Sequence, residues 1–334
     1  MNMKQTITGV ICGTGACVPK RVMDNYEIAE FVDTSDQWIR ERTGVIRRHI
    51  AEKETTVSMA AEAGRQAMEG AGVSPEEIDL ILLATASPDQ IFPCTACSVQ
   101  EKLGALNATG FDLNAACSGF LFAYNTAQAY ISSGIFRTVL VIGAESLSRL
   151  VDWKDRNTCI LFGDGAGAVL LKAKNSTFYL PATHSDGSGG MALTCNGTAD
   201  IHPFNKDAEP EKNLSYIHMN GKEVFQFAIR KVPQVIEEVL QKNNLTKEEI
   251  RWFILHQANS RIVDAVSRRL KVDIEKFPMN LQEYGNTSSA SIPILLDELN
   301  QKGVLLKGQK LVLAGFGAGL SWGASILEWK IPEK

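Results

Sequence analysis

The chain lacks any apolar run approaching the roughly 20 residues of a membrane-spanning helix, so no membrane role is expected. It also lacks an excess of either charge. Its 34 basic and 38 acidic residues leave a net charge of −4, which gives no electrostatic reason to invoke nucleic acid. Histidines number only 5, and no H-E-x-x-H, Walker or EF-hand spacing occurs. The 7 cysteines are an odd number scattered through strand-like and helical contexts, which argues for reduced thiols. Cys94 and Cys97 form a lone C-x-x-C pair with no second pair and no spaced histidines, so they read as small buried residues. No metal and no resident cofactor are expected. Met1 to Thr6 lead into a strand-like segment without a signal-peptide core, which makes the cytoplasm the expected location. What is present is the composition of a soluble globular protein, 45% hydrophobic and 22% charged. At 334 residues it is long enough for two packed units.

Those units are visible as an internal echo. A helical stretch from near Thr55 precedes Gly72–Leu83, and another from near Gly221 precedes Asn244–Leu255. Each couples a polar Ser/Thr-x-Glu-Glu-Ile turn to an apolar strand. In each half a helix follows (Cys94–Leu103; Asn259–Leu270), then a short strand (Gly110–Leu113; Lys276–Asn280). A third helix (Cys117–Ser133; Ser288–Gln301) leads to another strand (Thr138–Ile142; Lys310–Ala314) and a glycine-rich turn. Strands alternating with helices predict an α/β protein with covered, mixed or parallel sheets. The repetition predicts two pseudo-twofold halves, 1–176 and 177–334, joined near Asn175–Pro181. Residues 185–213, rich in Gly, Asn, Asp and Pro, read as an exposed excursion.

Within this frame Cys117 stands where an apolar strand ends and a long apolar helix, Phe120 to Ile131, begins. A helix N-terminus favours an anion, so a thiol there is expected to have a lowered pKa. The helix is apolar on every side and therefore buried, which implies a tunnel to the sulfur. At the equivalent place of the second half stands Asn286, and His256 ends the strand equivalent to Leu80–Leu83. Singly these are ordinary: a buried Cys is usually a small hydrophobe, a strand-end His structural, an Asn a cap. In corresponding places they make a site. Two donors, His256 and Asn286, aimed at one oxygen suit an enolate, and Cys117 suits a thioester. The turn Gly317-Ala318-Gly319, with the N–H of Cys117, is a candidate oxyanion hole; a positive φ at Ala318 would strain it. His49, His184, His202 and His218 lack such a setting. Phe162-Gly163-Asp164-Gly165-Ala166-Gly167 continues into a strand, so a dinucleotide loop is excluded.

Taken together, several stretches resemble β-ketoacyl-acyl-carrier-protein synthase III of the thiolase superfamily. They are Asp33-Thr34-Ser35-Asp36-Gln37-Trp38-Ile39, Ala115-Ala116-Cys117-Ser118-Gly119-Phe120, Asp155-Arg156-Asn157-Thr158, His256-Gln257-Ala258-Asn259, Gly285-Asn286-Thr287-Ser288 and Gly317-Ala318-Gly319. The resemblance implies a thiolase-like fold in α-β-α-β-α layers and a homodimer. It implies that Cys117 takes the acyl group of a short acyl-CoA primer, and that malonyl-acyl-carrier protein then condenses with it on loss of CO₂. CoA would be a substrate, with Thr34, Trp38, Arg42, Arg156 and Asn259 binding it and Trp38 and Arg156 sandwiching the adenine. Phe92 would shape the acyl pocket, partly across the dimer. Gln257, Arg261, Arg268 and Arg269 would receive the acidic carrier protein, although Gln226 stands where a Lys is common. A secondary-metabolism relative with an unusual starter, and a non-catalytic acyl-CoA binder, are the rival expectations.

Overall fold

The computed structural model describes residues 5–196 and 216–332. The rest of the expected excursion, 197–213, and His202 lie outside the described residues. The first half contains β1 (Gln5–Cys17), β2 (Val22–Asp24), α1 (Asn25–Ile28), α2 (Asp36–Thr43), β3 (Arg47–His49), α3 (Thr56–Ala71) and β4 (Leu80–Ala84). It continues with α4 (Thr95–Leu103), β5 (Thr109–Leu113), α5 (Gly119–Ser132), β6 (Thr138–Glu145), α6 (Arg156–Cys159) and β7 (Gly165–Thr177). The second contains β8 (Ala182–Ser185), β9 (Leu193–Cys195), β10 (Ile217–Met219), α7 (Gly221–Lys242), β11 (Ile250–Leu255) and α8 (Ser260–Leu270). It closes with α9 (Leu281–Tyr284), α10 (Ser291–Gln301), β12 (Lys310–Gly317) and β13 (Ser321–Glu328).

The strand orders β1-β7-β6-β4-β5 and β8-β13-β12-β11 correspond over four strands, with β5 unmatched. In each, a parallel pair (β4 with β6, β11 with β12) is continued by antiparallel strands, and the first sheet adds β5 parallel to β4. The repeated Ser/Thr-x-Glu-Glu turns are capping boxes in both halves: Ser74 N–H donates to Glu77 and Thr246 N–H to Glu249, each at 2.9 Å. The fifth strand expected at Lys276–Asn280 is missing; a 3-10 turn, Ile274–Lys276, stands before it. Pro278 has no N–H to give a ladder, and the N–H of Asn280 goes to Gln257 instead.

Period-2 alternation builds the layers. Leu80 and Leu82 of β4 face a central core with α5 and α10, while Ile81 and Leu83 face α3 and α4. In the second sheet Leu311 and Leu313 face the same central core, whereas Val312 and Ala314 face α7 and α8. The order is therefore helices, sheet, α5 with α10, sheet, helices. The expectation of Cys94 and Cys97 as buried residues fails: at the opening of α4 Cys94 is half-buried and Cys97 exposed, their sulfurs 3.3 Å apart.

Candidate active site

The third helix of each half opens differently from the sequence expectation, through a 3-10 turn before the α-helix proper. These turns are Ala116–Ser118 before α5 and Ser288–Ala290 before α10. The first residue of each turn is left-handed, Ala116 at φ 46 and Ser288 at φ 48. For side chains other than glycine that strain costs about 1–3 kcal/mol apiece. Cys117, the middle residue of its turn, lies against β12: a Cβ on Gly317 would come within 2.8 Å of the Cys117 Cβ. Only glycine allows that approach. At Ala318 the feared strain is absent, because the positive φ of the turn falls on Gly319 at 136°.

Ser288 links the three expected side chains. Its hydroxyl faces the Cys117 sulfur. Its N–H donates to Asn286 Oδ1 at 2.9 Å, which fixes the amide so that Nδ2 meets no acceptor among the described residues. Its carbonyl lies 2.9 Å from Ser291 Oγ, and Ser291 Oγ lies 2.7 Å from His256 Nδ1. The Asn286 loop is sewn to the glycine-rich Phe162 segment by Asn286 N–H to Leu161 O (2.8 Å) and Gly163 N–H to Asn286 O (3.1 Å). Gly285, at φ 66, has no room for a Cβ, which would lie 2.9 Å from Leu161 O. A cavity of 180 Å³, lined among others by Ala86, Cys117, Leu147, Phe162, Ser288 and Ala318, opens on the sulfur. His256 and Asn286 reach the site through Ser288 and do not themselves line this cavity.

Burial governs the electrostatics. It pushes the Cys117 thiol from 9.0 up to about 12, with the Glu145 charge adding to the rise and the Ser288 hydroxyl opposing it. A rise of that size disfavours the thiolate by about 4 kcal/mol. A helix N-terminus is worth about 0.3–2 kcal/mol in return. The lowered pKa expected from sequence is therefore wrong for the resting enzyme, whose thiol is protonated. Burial likewise drives His256 from 6.5 down to about 3, opposed by the nearby Ser288 backbone, so the imidazole is neutral.

Residues 111–194 match the family described as 3-oxoacyl-[acyl-carrier-protein] synthase III, and residues 240–329 match its C-terminal part. The chain is 47% identical over 322 residues to a β-ketoacyl-[acyl-carrier-protein] synthase III of Clostridium acetobutylicum, covering 96% of this chain and 98% of the relative. It is 49% identical to the synthase III of Microcystis aeruginosa, over 96% of this chain and 97% of the other. The solved synthase III of Aquifex aeolicus superposes with a TM-score of 0.89 at 44% identity, covering 96% of this chain and 100% of that one. The priming β-ketosynthase of the R1128 polyketide pathway gives 0.93 at 35% identity, covering 99% of each. The chain belongs to the β-ketoacyl-acyl-carrier-protein synthase III family. It is an acyltransferase of the condensing class on a thiolase-like fold.

The other site residues expected of a synthase III fall in several settings. Trp38 and Arg156 come together, with the guanidinium 4.9 Å from the indole centroid, and Arg42 stacks at 5.7 Å. The sandwich is closed: the two are in direct contact, and a base between them requires Arg156 to swing away from Asp33 O, its acceptor at 2.9 Å. The Thr34 hydroxyl is buried without a hydrogen-bond partner. Asn259 is occupied structurally: Oδ1 caps α8 through Arg261 N–H and Nδ2 donates to Arg42 O, both at 2.9 Å. Gln257 cannot receive a carrier protein. It is 1% exposed, and its Oε1 accepts from the N–H groups of Asn280 and Leu281 where the missing strand would run. Arg261, Arg268 and Arg269 are exposed on α8 and form no ion pair among the described residues. Phe92, 83% exposed, does not line its own chain's cavity.

Sequence reasoning missed Glu145, the last residue of β6. Fully buried, its carboxylate accepts from Ser87 Oγ (2.5 Å), Ala86 N–H (3.0 Å) and Ser289 Oγ (2.7 Å), which ties both halves together beneath the sulfur. Burial raises its pKa. Also missed was buried Arg48, which donates to Ile160 O at 2.8 Å beneath the loop that holds Asn286. A charged residue in a strand-like stretch gives no sequence signal of burial.

Proposed function

We propose that Cys117, His256 and Asn286 divide a two-step condensation between the halves. In the first step Cys117 Sγ attacks the thioester carbonyl of a short acyl-CoA, acetyl-CoA or similar. The carbon–sulfur bond to CoA breaks, and CoA departs as its thiol. The backbone N–H groups of Cys117 and Ala318 receive the transient oxyanion. In the second step malonyl-acyl-carrier protein loses CO₂, and the electron pair of the broken bond forms an enolate. The neutral His256 ring and Asn286 Nδ2 donate to its oxygen. The enolate carbon attacks the Cys117 thioester, its carbon–sulfur bond breaks to give 3-ketoacyl-acyl-carrier protein, and the departing Cys117 thiolate takes a proton from solvent. One observation carries this reading: Ser288 bonds or faces all three groups.

Trp38, Arg42 and Arg156 suit the adenine of CoA, since an indole and a guanidinium both stack on a base. The orphaned Thr34 hydroxyl suits a polar atom of the same ligand. Asn259 keeps one amide hydrogen for the pantetheine arm. Arg261, Arg268 and Arg269 suit an acidic carrier protein. The chain works as a homodimer: β5 is a sheet edge with unpaired backbone groups, flanked by the exposed apolar Ile91, Phe92 and Leu106. Phe92 then reaches the partner's acyl pocket. The protein acts in the cytoplasm and starts fatty-acid synthesis. The likeness to a polyketide priming synthase keeps a second starter class in view. Incubation with a panel of acyl-CoAs, read as adduct mass on Cys117, tests both: a short-chain adduct is expected, and adducts confined to long or aromatic starters would replace the first reading by the second. Binding of CoA with no adduct at all would leave a non-catalytic binder.

A further inference from the structure

His256 can serve an enolate only if its single ring proton sits on the nitrogen facing the substrate, and what decides this lies on the other side of the ring. A neutral imidazole has one donor and one acceptor. Its Nδ1 is 2.7 Å from Ser291 Oγ, the first residue of α10. Ser291 Oγ is also 2.9 Å from Ser288 O, a second acceptor. The hydroxyl has one proton for two acceptors. If it goes to Ser288 O, Nδ1 must carry the ring proton and Nε2 presents a lone pair to the site. If it goes to Nδ1, the ring proton is on Nε2.

We propose that Ser291 is a positioning residue whose hydroxyl donates to His256 Nδ1 and thereby holds the ring in the Nε2–H tautomer. Two observations favour this direction. Imidazole nitrogen is a far stronger base than a peptide carbonyl. The shorter contact, 2.7 Å, is the one to Nδ1, as expected for a bond donated by a hydroxyl; a bond donated by ring N–H is typically about 2.9–3.0 Å. The ring has little freedom to evade the choice. It is 1% exposed, its edge rests on Phe316 at 5.0 Å between centroids, and its backbone N–H is bonded to Ala314 O at 2.8 Å. Without the hydroxyl, the polar group left near Nδ1 is the Ser288 carbonyl, an acceptor only, so the proton moves to Nδ1 and Nε2 stops donating.

This rests on the proposed role of His256, and the test separates the two. Nitrogen-15 NMR of histidine-labelled wild-type protein is expected to show His256 protonated at Nε2; protonation at Nδ1 would overturn the proposal without any variant. Ser291→Ala is expected to shift the proton to Nδ1 and slow CO₂ release from malonyl-carrier protein about 10- to 100-fold. Acylation of Cys117 by acetyl-CoA should stay within about threefold, and Ser291→Thr should restore both tautomer and rate. Ser291→Ala that keeps Nε2–H, or that releases CO₂ at the wild-type rate while His256→Ala does not, would sink the role of Ser291 alone. Normal CO₂ release by His256→Ala would sink the role of His256 itself.

Discussion

The turns that open α5 and α10 occupy equivalent places, share a left-handed first residue and yet carry different chemistry. In the first half the middle residue is Cys117, whose sulfur lines the cavity. In the second it is Ser289, whose hydroxyl turns inward to Ala84 O (3.0 Å) and Glu145 (2.7 Å). The duplicated backbone thus supplies the same strained corner twice. In the proposed mechanism one copy holds the group that forms bonds to carbon, and the other anchors the donors that handle charge. On that proposal a few side chains make equivalent turns serve different steps.

The comparison breaks most completely at the sulfur. Cys117→Ala is expected to abolish condensation and the acyl adduct, while Ser289→Ala keeps the adduct; mass spectrometry after acyl-CoA incubation checks both. Next in size, His256→Ala should lose about 10²–10³-fold in steady-state condensation, as expected for removing one donor to a developing oxyanion. Glu145→Ala strips the acceptor from Ser87, Ala86 and Ser289. It should cost about 3 kcal/mol, measured as a lowered urea midpoint, because buried donors are left unpaired. Trp38→Ala touches neither turn and should raise KM for acyl-CoA about tenfold with little change in the condensation step. A last prediction concerns pH. His256 takes up a proton below about 6.5 when unfolded but only near 3 when folded, so it withdraws stability as pH falls from about 6.5 towards 3. The slope of unfolding free energy over that window should be shallower in His256→Gln.

Much of this was legible in the chain. The apolar run of Leu80 to Leu83, the two Ser/Thr-x-Glu-Glu turns and the order of elements carried the covered α/β sheets. Cys117, His256 and Asn286 were legible because each sits at the junction of a strand or a tight turn with a helix. What escaped depends on contacts made only in the folded state. Gln257 reads as a carrier-protein contact, but it is buried because Pro278 breaks the expected strand and leaves two N–H groups for it to satisfy. Asn259 reads as a ligand contact and acts as a helix cap. The pKa of Cys117 was misjudged because a local signal, the helix N-terminus, is outweighed by burial.

The division of labour between the turns is tested most directly by one turnover of pre-acylated Asn286→Ala protein with malonyl-carrier protein, following the acyl group on Cys117 and CO₂ together. Asn286→Ala should have taken its acyl group from acyl-CoA within about threefold of the wild-type rate. It should then retain that group while CO₂ release is slowed about a hundredfold. Equal slowing of acylation and CO₂ release, or CO₂ release at the wild-type rate, would contradict the assignment of the two steps to the two halves.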